Sequence, residues 1–310
     1  MYNNDMLQEF IQNIYPGSNL NKAKVLGGGT SANVTLLILQ NAQGQEIRIV
    51  NRLHGPKDRK DNPTVATTEF KVLKILYEAG LNVPPPISID QTNCFLGAPS
   101  VTVGFLEGVV NLKPLTPKDY VKKIGIELAK LHSVDLISPR ISFLRNLKNH
   151  CNSIFGPKYL GRTNHILDFL KPYWPSAVRN PSVILHGDFW PGNLLWMNEN
   201  IVGIIDWEDT LWGDPILDLA NARFEIYFLL GKKLMDFFTK KYLEYNPIDI
   251  LFLPWWDLYT AFQFCDKIHM FSNDERPLSQ IQEDFENLVK INQRKIQDLH
   301  SPRKDQKPLA

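Results

Sequence analysis

Hydrophobic residues in the first third of the chain occur mainly in short runs separated by turn residues. Runs of this length, rich in β-branched residues, are typical of strands. The spacing changes once, where Phe70, Leu73, Leu76 and Tyr77 recur at the interval of a helix that faces a core. A shorter helix is predicted at residues 5–14. The predicted strands are residues 24–26, 34–39, 47–53, 87–89 and 100–105.

Beyond residue 105 the apolar spacing becomes mostly helical. Thr116 and Pro117 suit the start of a helix, with a capping hydroxyl followed by proline at the first helical position. Short helices are expected across 135–181. Three short apolar runs interrupt this pattern at 183–185, 194–196 and 201–205, and a turn at 197–200 would pair the last two. Further helices are predicted at 216–230, 234–245, 255–271 and 281–299.

The two halves of this pattern meet at Gly104 to Gly108, which suits a flexible crossover between two parts of a fold. Residues 54–63 are polar, contain two prolines and are predicted to be a loop. We therefore predict an α+β fold with an antiparallel sheet and one helix in an N-terminal lobe. A larger, mainly helical lobe would follow it. The expected bounds are 1–105 for the first lobe, 106–302 for the second and 303–310 for a solvated tail.

Composition narrows the class of protein. The chain has 310 residues, 44% of them hydrophobic, and a formal net charge of +1. It is long enough to bury a substantial core, and it carries no basic stripe that would favour nucleic acid as a partner. The start of the sequence does not resemble a secretion signal, and no run approaches the roughly eighteen apolar residues of a membrane span. We expect a cytoplasmic protein with no membrane partner, whose three distant cysteines are reduced thiols.

The most informative stretch is 183–207, VILHGDFWPGNLLWMNENIVGIIDW. It places Asp188, Asn193 and Asp206 on an apolar framework, and a buried Asp must be paired or bind a cation. Asp188 and Asn193 have the spacing of the Asp and Asn in the kinase catalytic loop. Asp188 is therefore the candidate base for an acceptor hydroxyl. Asn193 and Asp206 are candidate ligands for Mg²⁺, which prefers oxygen ligands.

A plainer interpretation exists for the start of this stretch. His186, Gly187 and Asp188 alone could form a turn with a packing histidine and a capping aspartate. The rigid loop that follows, with its proline and glycine, and the second aspartate after the hairpin favour the catalytic interpretation. We expect His186 to hold the loop through a ring hydrogen bond rather than to act as the base.

Weaker signals in the N-terminal part agree with phosphate chemistry. The turn after the first predicted strand contains Gly27, Gly28, Gly29, Thr30 and Ser31. Backbone amides freed by glycines can approach a phosphate closely, and a serine hydroxyl can add a donor, although a plain hairpin turn would explain the same residues.

A possible ion pair lies further along. Arg52 lies near the end of the third predicted strand, and Glu69 lies at the start of the helix that follows it. They could form a buried ion pair. The alternative is that both are exposed charges on the surface.

Taken together, these segments resemble the aminoglycoside phosphotransferase and choline kinase family, a branch of the protein-kinase-like fold that phosphorylates small molecules. The resemblance implies a bilobal fold, ATP or GTP as phosphate donor, Mg²⁺ and a small hydroxyl-bearing acceptor. It implies that backbone groups of Gly104 and Leu106 hold adenine, and that Arg52 contacts the nucleotide phosphates and pairs with Glu69. Asp218 is expected to brace the catalytic loop. The similar segments are LGGGTSANV, VTVGFLEG, LAKLHSVD, LHGDFWPGNLLW and GIIDWEDTLWGDPILDLA.

Two departures from protein kinases point to a small acceptor. Gly187 stands where protein kinases carry arginine, and the helix at 216 begins too soon after Asp206 for a long activation segment.

The acceptor itself is less defined. Glu208, Asp209 and Asp214 would suit a cationic acceptor, or they could cap loops. Aromatic residues at 255, 256, 259 and 262 could line a pocket or pack between helices. His132 is expected to pack against a neighbouring helix.

Three functions remain for comparison with the structure. The first is an ATP-dependent O-phosphotransferase acting on a small molecule. The second is a nucleotide-binding regulatory protein of the same fold that has lost transfer. The third is a metal-dependent hydrolase with His186, Asp188 and Asp206 as ligands. The sequence leaves the oligomeric state open.

Overall fold

The computed structural model describes residues 4–27, 32–91, 95–135, 141–147, 165–174 and 179–300. Its N-terminal part contains an antiparallel sheet of five strands in the order β1-β2-β3-β5-β4. The strands are β1 (Asn19–Val25), β2 (Ala32–Gln40), β3 (Glu46–His54), β4 (Pro86–Asp90) and β5 (Ser100–Gly104). The helices of this part are α1 (Asn4–Ile14), α2 (Pro56–Asp61) and α3 (Val65–Glu78).

Side chains along each strand alternate between the two faces of this sheet, and the two faces have different surroundings. Leu37 and Leu39 point to one side, where they pack with Phe10 and Ile11 of α1 in a small core. On β3, Asn51 is buried on that side and donates hydrogen bonds to Ser100 Oγ and Thr102 Oγ1, both at 3.1 Å. Its neighbours in sequence must face the other way, because the side-chain period of a strand is two residues. That second face borders a cleft.

The C-terminal part is mainly helical. Helix α6 is apolar around most of its surface and packs against both α7 and α8, which makes it the centre of the main core. Helix α4 packs on α7, and α9 packs on α8. The helices are α4 (Pro117–His132), α5 (His165–Tyr173), α6 (Ile216–Leu230), α7 (Lys232–Tyr245), α8 (Leu253–Phe264) and α9 (Leu278–His300).

Short strands form two small sheets beside these helices. One has the order β10-β9-β6 and the other β7-β11-β8. The hairpin β9-β10 is the one predicted from the sequence, with its turn at Asn198 and Glu199, which adopt positive φ. The strands are β6 (Val109–Val110), β7 (Arg145–Asn146), β8 (Val183–Leu185), β9 (Leu194–Met197), β10 (Asn200–Ile204) and β11 (Leu211–Gly213).

Most predicted elements are confirmed within a few residues. However, β1 begins at Asn19 rather than at residue 24, the short strands β6, β7 and β11 were not predicted, and three further details are wrong. Part of the predicted loop at 54–63 is helix α2, whose first residue, Pro56, has a φ already suited to a helix. The Thr116 hydroxyl makes no capping hydrogen bond; only its carbonyl accepts, from the N–H of Tyr120. The helix predicted at 255–271 ends at Phe264, and a separate 3₁₀ turn follows at Ile268–Phe271.

Several other expectations concern burial. Trp255, Trp256, Tyr259 and Phe262 are all buried in the main core, so they pack between helices. Cys265 is not in a disulfide, whereas Cys94, Cys151 and the tail 303–310 lie outside the described residues. Within the described ranges, no helix combines the length and apolar character needed to cross a membrane.

Candidate active site

The loop between β8 and β9 brings the first two candidate residues together. Asn193 Nδ2 donates to the main-chain oxygen of Asp188 at 2.9 Å and to its Oδ2 at 3.0 Å. A 3₁₀ turn at Pro191–Asn193 sets this geometry, and the N–H of Asn193 donates to the carbonyl of Trp190. The amide nitrogen of Asn193 is therefore used to hold Asp188. This leaves Asn193 Oδ1 and Asp188 Oδ1 as the acceptors that can serve a ligand.

Asp218, at the start of α6, holds the other side of this loop. Its fully buried carboxylate accepts hydrogen bonds from the N–H of His186 at 2.7 Å and from that of Gly187 at 2.9 Å. It also lies 3.2 Å from Nε2 of His132, a residue that the sequence indicated only as a packing residue. His132 Nδ1 is 2.8 Å from the hydroxyl of Tyr242. The loop of residues 186–193, called here the catalytic loop, is thus held by the carboxylate of Asp218, which α4 and α6 keep in position.

His186 uses both of its ring nitrogens within the protein. Nε2 is 2.9 Å from the carbonyl oxygen of Ile205, and Nδ1 accepts from the N–H of Asp188 at 3.3 Å. The ring therefore carries its proton on Nε2 and has no lone pair to offer a metal. In the described part of the chain, no group of three His, Cys, Asp or Glu side chains is arranged to hold a metal ion. The geometry of His186 contradicts the hydrolase hypothesis.

Gly187 can only be glycine in this loop. Its φ is +86°, and a Cβ built there would lie 2.2 Å from the carbonyl oxygen of Asp209. The Gly187 carbonyl accepts from Asn221 Nδ2 at 3.0 Å, and Asn221 Oδ1 accepts from the Thr260 hydroxyl at 3.0 Å. Sequence reasoning missed Asn221 and Thr260. The only available signal was that Asn221 lies nearly one turn after Asp218 on the same helix.

Asp206 follows β10, and the end of that hairpin lies beside the loop that carries Asp188 and Asn193. The N–H of Ile205 donates to the carbonyl of Asn193 at 2.9 Å, which ties the end of the hairpin to the loop. Asp206 itself has φ +72°, a left-handed conformation that Asp tolerates better than most residues. Its Oδ1 lies 2.5 Å from Nη2 of Arg52.

Arg52 is the centre of a buried charge cluster. Its Nε lies 2.7 Å from Glu69 Oε1, a close ion pair without the alignment of a hydrogen bond. Its Nη2 also lies 3.3 Å from Glu208 Oε2. Glu69 Oε2 is in turn 3.0 Å from Nε2 of the fully buried His54. The Arg52 side chain is 11% exposed and that of Glu69 1%, so the expectation that both are surface charges is wrong.

Electrostatics in the site follow from this burial. Burial alone would lower the pKa of Arg52, but the carboxylates of Glu69, Asp206 and Glu208 outweigh it and keep the guanidinium charged. Burial alone would raise the pKa of Glu69, but Arg52 and the contact with His54 outweigh it, so the pKa is lowered. For Asp188, burial dominates and its pKa is raised; His186 and Asn193 act against the shift, and Asp209 and Asp206 add to it.

A cleft of about 400 Å³ lies between the sheet and the catalytic loop. At the crossover, the N–H of Gly104 donates to the carbonyl oxygen of Pro85, and the N–H of Phe105 donates to that of Arg48. The next main-chain donor along the chain is therefore the N–H of Leu106. Gly203 lets Leu106 lie close, since a Cβ there would be 2.5 Å from Leu106 Cδ1. The apolar walls are formed by Leu26, Val34, Val50, Leu73, Val103, Leu195 and Ile205, and the polar end by Arg52, Glu69, Asn193 and Asp206.

The remaining candidates separate into different environments. Glu208 belongs to the Arg52 cluster: its Oε2 lies 3.3 Å from Arg52 Nη2 and 4.0 Å from His54 Nδ1, and its side chain is 13% exposed. Asp214 is buried and accepts from Asn180 Nδ2 at 2.9 Å and from the N–H of Ile216 at 3.1 Å, so it caps the start of α6. Asp209 is largely exposed, 3.9 Å from Arg145 Nη2. Gly27 lines the cleft. Gly28, Gly29, Thr30 and Ser31 lie outside the described residues.

Comparison with known proteins agrees with this architecture. Residues 22–246 match the sequence profile described as the phosphotransferase enzyme family. A homoserine kinase of Beijerinckia indica subsp. indica is 29% identical over 188 residues, which is 54% of this chain and 57% of that protein. The chain thus spans a little over half the length of this relative.

Solved structures share the fold at lower identity. An amicoumacin kinase in complex with AMP-PNP and Ca²⁺ superposes with a TM-score of 0.65 at 12% identity, covering 96% of this chain and 94% of that one. A phosphotransferase in complex with GDP and kanamycin gives a TM-score of 0.61 at 18% identity, covering 92% and 97%. At such identities the likeness shows the fold alone. It is the bilobal, protein-kinase-like α+β fold that the resemblance implied.

Proposed function

The chain belongs to the phosphotransferase enzyme family, and we propose that it transfers the γ-phosphate of ATP to a hydroxyl group of a small molecule, with Mg²⁺ as cofactor. The observation that carries this proposal is the convergence of Asp188, Asn193 and Asp206. Asn193 binds Asp188, and it lies with Asp206 and Arg52 at the polar end of the cleft. In this proposal, residues 1–105 form the nucleotide-binding lobe and residues 106–302 the catalytic and acceptor-binding lobe.

Asp188 is the proposed base. The acceptor hydroxyl oxygen attacks the γ-phosphorus and forms an O–P bond, while the bond from that phosphorus to the bridging oxygen breaks and ADP leaves. The hydroxyl proton passes to Asp188. Because Asn193 binds Oδ2, the free Oδ1 is the oxygen placed to receive the proton. A positioned general base contributes about 10²- to 10⁴-fold to such a rate.

The residues around Asp188 fit a divalent cation and phosphates. Asn193 Oδ1 and the Asp206 carboxylate are hard oxygen ligands, and two such ligands with substrate oxygens and water suit Mg²⁺. When bound, the ion would neutralise charge on the phosphates. Arg52, held by Glu69, keeps a permanent positive charge at the same end of the cleft and would contact the phosphates.

The cleft also suits the rest of a nucleotide. Its walls are apolar where a base would lie, and the crossover offers main-chain groups of Gly104 and Leu106 at its edge. A volume of about 400 Å³ falls within the range of small-molecule sites. On the acceptor side, β11 leads directly into α6, so the chain lacks room for the long segment with which protein kinases bind a peptide.

Asp188→Asn tests the proposal directly. We expect MgATP binding and the melting temperature to stay close to wild type, because asparagine keeps the size of the side chain. Slow ATP hydrolysis and transfer to a panel of antibiotics, amino alcohols and sugars should fall about 10²- to 10⁴-fold, since the base is removed.

Two other outcomes are informative. Unchanged turnover in Asp188→Asn would refute the role of Asp188. A wild-type protein that binds MgATP but transfers phosphate to no acceptor and does not hydrolyse it would favour the nucleotide-binding regulatory protein instead.

A further inference from the structure

Behind the catalytic loop, hydrogen bonds connect four side chains of α4, α6 and α7 in series. Asn246, which directly follows α7, donates from Nδ2 to the hydroxyl oxygen of Tyr242 at 2.9 Å. That hydroxyl is 2.8 Å from Nδ1 of His132, whose Nε2 lies 3.2 Å from Oδ2 of Asp218. Tyr242, His132 and Asp218 are all buried. The series ends at the two main-chain N–H groups of the loop that donate to Asp218.

The donor and acceptor atoms give the protons of this series one direction. The amide nitrogen of Asn246 can only donate, so the Tyr242 oxygen accepts there. In the described part of the chain, the other hydrogen-bond partner of the Tyr242 hydroxyl is His132 Nδ1, which therefore accepts the hydroxyl proton. His132 then carries its own proton on Nε2, because the hydrogen bond at one ring nitrogen sets the state of the other. That proton is donated to Asp218.

The elements packed on α4 place few titratable groups at the His132 ring. These elements are α6, α7, β8 and β10, and the two strands carry no titratable side chain. Among the described residues, Asp218 of α6 and Tyr242 of α7 are the titratable groups in contact with the ring. Burial raises the pKa of the Tyr242 hydroxyl; the hydrogen bond from Asn246 opposes the shift, and Asp218 and Asp214 add to it. Tyr242 thus keeps the proton that it donates.

The proton count of His132 matters because one oxygen of Asp218 is shared. Oδ2 of Asp218 accepts from both the Nε2–H of His132 and the N–H of His186. A doubly protonated ring would attract this oxygen more strongly, since a hydrogen bond from a charged donor is about twice as strong as one from a neutral donor. The oxygen would then be drawn towards α4 and away from the loop. A ring with a single proton leaves Asp218 to the main chain of the catalytic loop.

We propose that Tyr242 and Asn246 are positioning residues for phosphate transfer, because their hydrogen bonds keep a second proton off His132 and so keep Asp218 on the catalytic loop. The inference rests on the proposed phosphotransferase function, but it concerns side chains behind the loop rather than in the cleft. Without the donated hydroxyl proton, Nδ1 of His132 is open to protonation at acidic pH beside the Asp218 carboxylate. The loop then loosens, and Asp188 loses its position.

Two variants of nearly unchanged size test this series. Tyr242→Phe removes the hydroxyl, and Asn246→Asp replaces the donor by an ionised acceptor, which takes the hydroxyl proton of Tyr242 for itself. Tyr120→Phe is the matched control, since Tyr120 is also a buried tyrosine and donates to the main-chain oxygen of Asn111. NMR spectra of the histidine ring nitrogens in the full chain, with the His132 signals assigned from His132→Gln, report the ring protons at pH 6 and 8.5.

In wild type and Tyr120→Phe, we expect His132 to show one ring proton, on Nε2, at both pH values. In Tyr242→Phe and Asn246→Asp it should gain a second proton at pH 6. Slow ATP hydrolysis and transfer to the acceptor panel should then fall at least about tenfold below wild type at pH 6, while KM for MgATP stays within about twofold. At pH 8.5 the same variants should lie within about threefold of wild type. A purely structural loss would be similar at both pH values and would not change the ring signals.

A single ring proton on His132 in both variants at pH 6, or two protons in wild type, would overturn the proposal. So would a second proton that leaves turnover unchanged. If wild type neither hydrolyses nor transfers phosphate, the proposed function is refuted, and hydrogen exchange of the His186 and Gly187 N–H groups decides the positioning role. Exchange at least about tenfold faster in Tyr242→Phe than in wild type at pH 6 supports it, and equal exchange overturns it. If Tyr242→Phe does not fold, Asn246→Asp supplies the same comparison.

Discussion

Single residues in this site are explained by the partners that they have or lack. Asp218 is a fully buried carboxylate and Asp188 a half-buried one beside the same loop, and their surroundings differ. Asp218 accepts hydrogen bonds from two main-chain N–H groups and lies against His132, which suits a structural role. Asp188 is held through one oxygen only, which leaves the other for chemistry.

Glu225 predicts a particular pH dependence of stability. Burial, and to a smaller extent the charge of Asp188, raise its pKa in the folded protein to about 8, against 4.5 for an ordinary glutamate. Between these values the folded protein binds a proton that the unfolded chain has released, so the contribution of Glu225 to the free energy of unfolding falls as pH rises from 4.5 to about 8. The slope is up to about 1.4 kcal/mol per pH unit for one proton.

Urea unfolding of wild type and Glu225→Gln at pH 5.5, 7 and 8.5 measures this effect. The variant should lose less stability than wild type over that range, because glutamine does not titrate. Parallel curves for the two proteins would show that Glu225 keeps an ordinary pKa in the folded state.

At the scale of elements, the catalytic loop depends on a close approach of main chains. The Gly187 backbone touches the carbonyl of Asp209, and two helices then fix the loop through Asp218, Asn221 and Thr260. A side chain at position 187 would therefore have to push the loop away from the segment that carries Asp209. Such a shift would move Asp188 relative to Asn193 and Asp206.

Gly187→Ala is expected to reduce phosphate transfer by at least about tenfold, because misplacing a catalytic group by an ångström can cost about a hundredfold. Gly231→Ala is a matched control. Gly231 has almost the same φ, +87°, but nothing lies within 4 Å of the position that a Cβ would occupy there. The control should lose about 1–2 kcal/mol of stability from backbone strain while keeping its turnover. Equal effects of the two variants on kcat would show that φ, not the contact with Asp209, controls position 187.

At the scale of the whole molecule, Arg52 joins the sheet to the helical part. It is carried by β3, is paired with Glu69 of α3, and reaches across the cleft to Asp206 and Glu208, which follow β10. The register of β3 puts Arg52 on the cleft face, opposite Val34 and Val101 on the neighbouring strands. One cation thus neutralises carboxylates from both parts of the fold.

Arg52→Met is expected to lower the free energy of unfolding by about 3 kcal/mol, because it leaves Glu69 buried without its main counter-charge. It should also weaken MgATP binding. Arg52→Lys should recover part of the stability, and Lys22→Met, an exposed lysine on β1, should change neither property. Urea unfolding and MgATP titration measure both effects. A loss below about 1 kcal/mol in Arg52→Met would show that the cluster does not stabilise the fold.

Local patterns in the sequence were sufficient for most of the secondary structure and for the core of the site. The strands at 183–185 and 194–197, the hairpin and helix α6 follow from apolar spacing and turn residues within a few positions. Asp188, Asn193 and Asp206 are close in sequence, so their spacing alone indicated a shared role. Short-range geometry of this kind is encoded by neighbouring residues.

The tertiary structure alone decided which distant groups share a partner. The sequence could not show that His54 lies against Glu69 or that Glu208 pairs with Arg52. Nor could it show that the Thr260 hydroxyl donates a hydrogen bond to Asn221. It also could not show that Glu225 remains unpaired, because pairing depends on which charges the fold buries together. The sequence by itself determined the reaction class that we propose. The tertiary structure decided which buried charges share a partner, because residues far apart in sequence meet only in the folded chain.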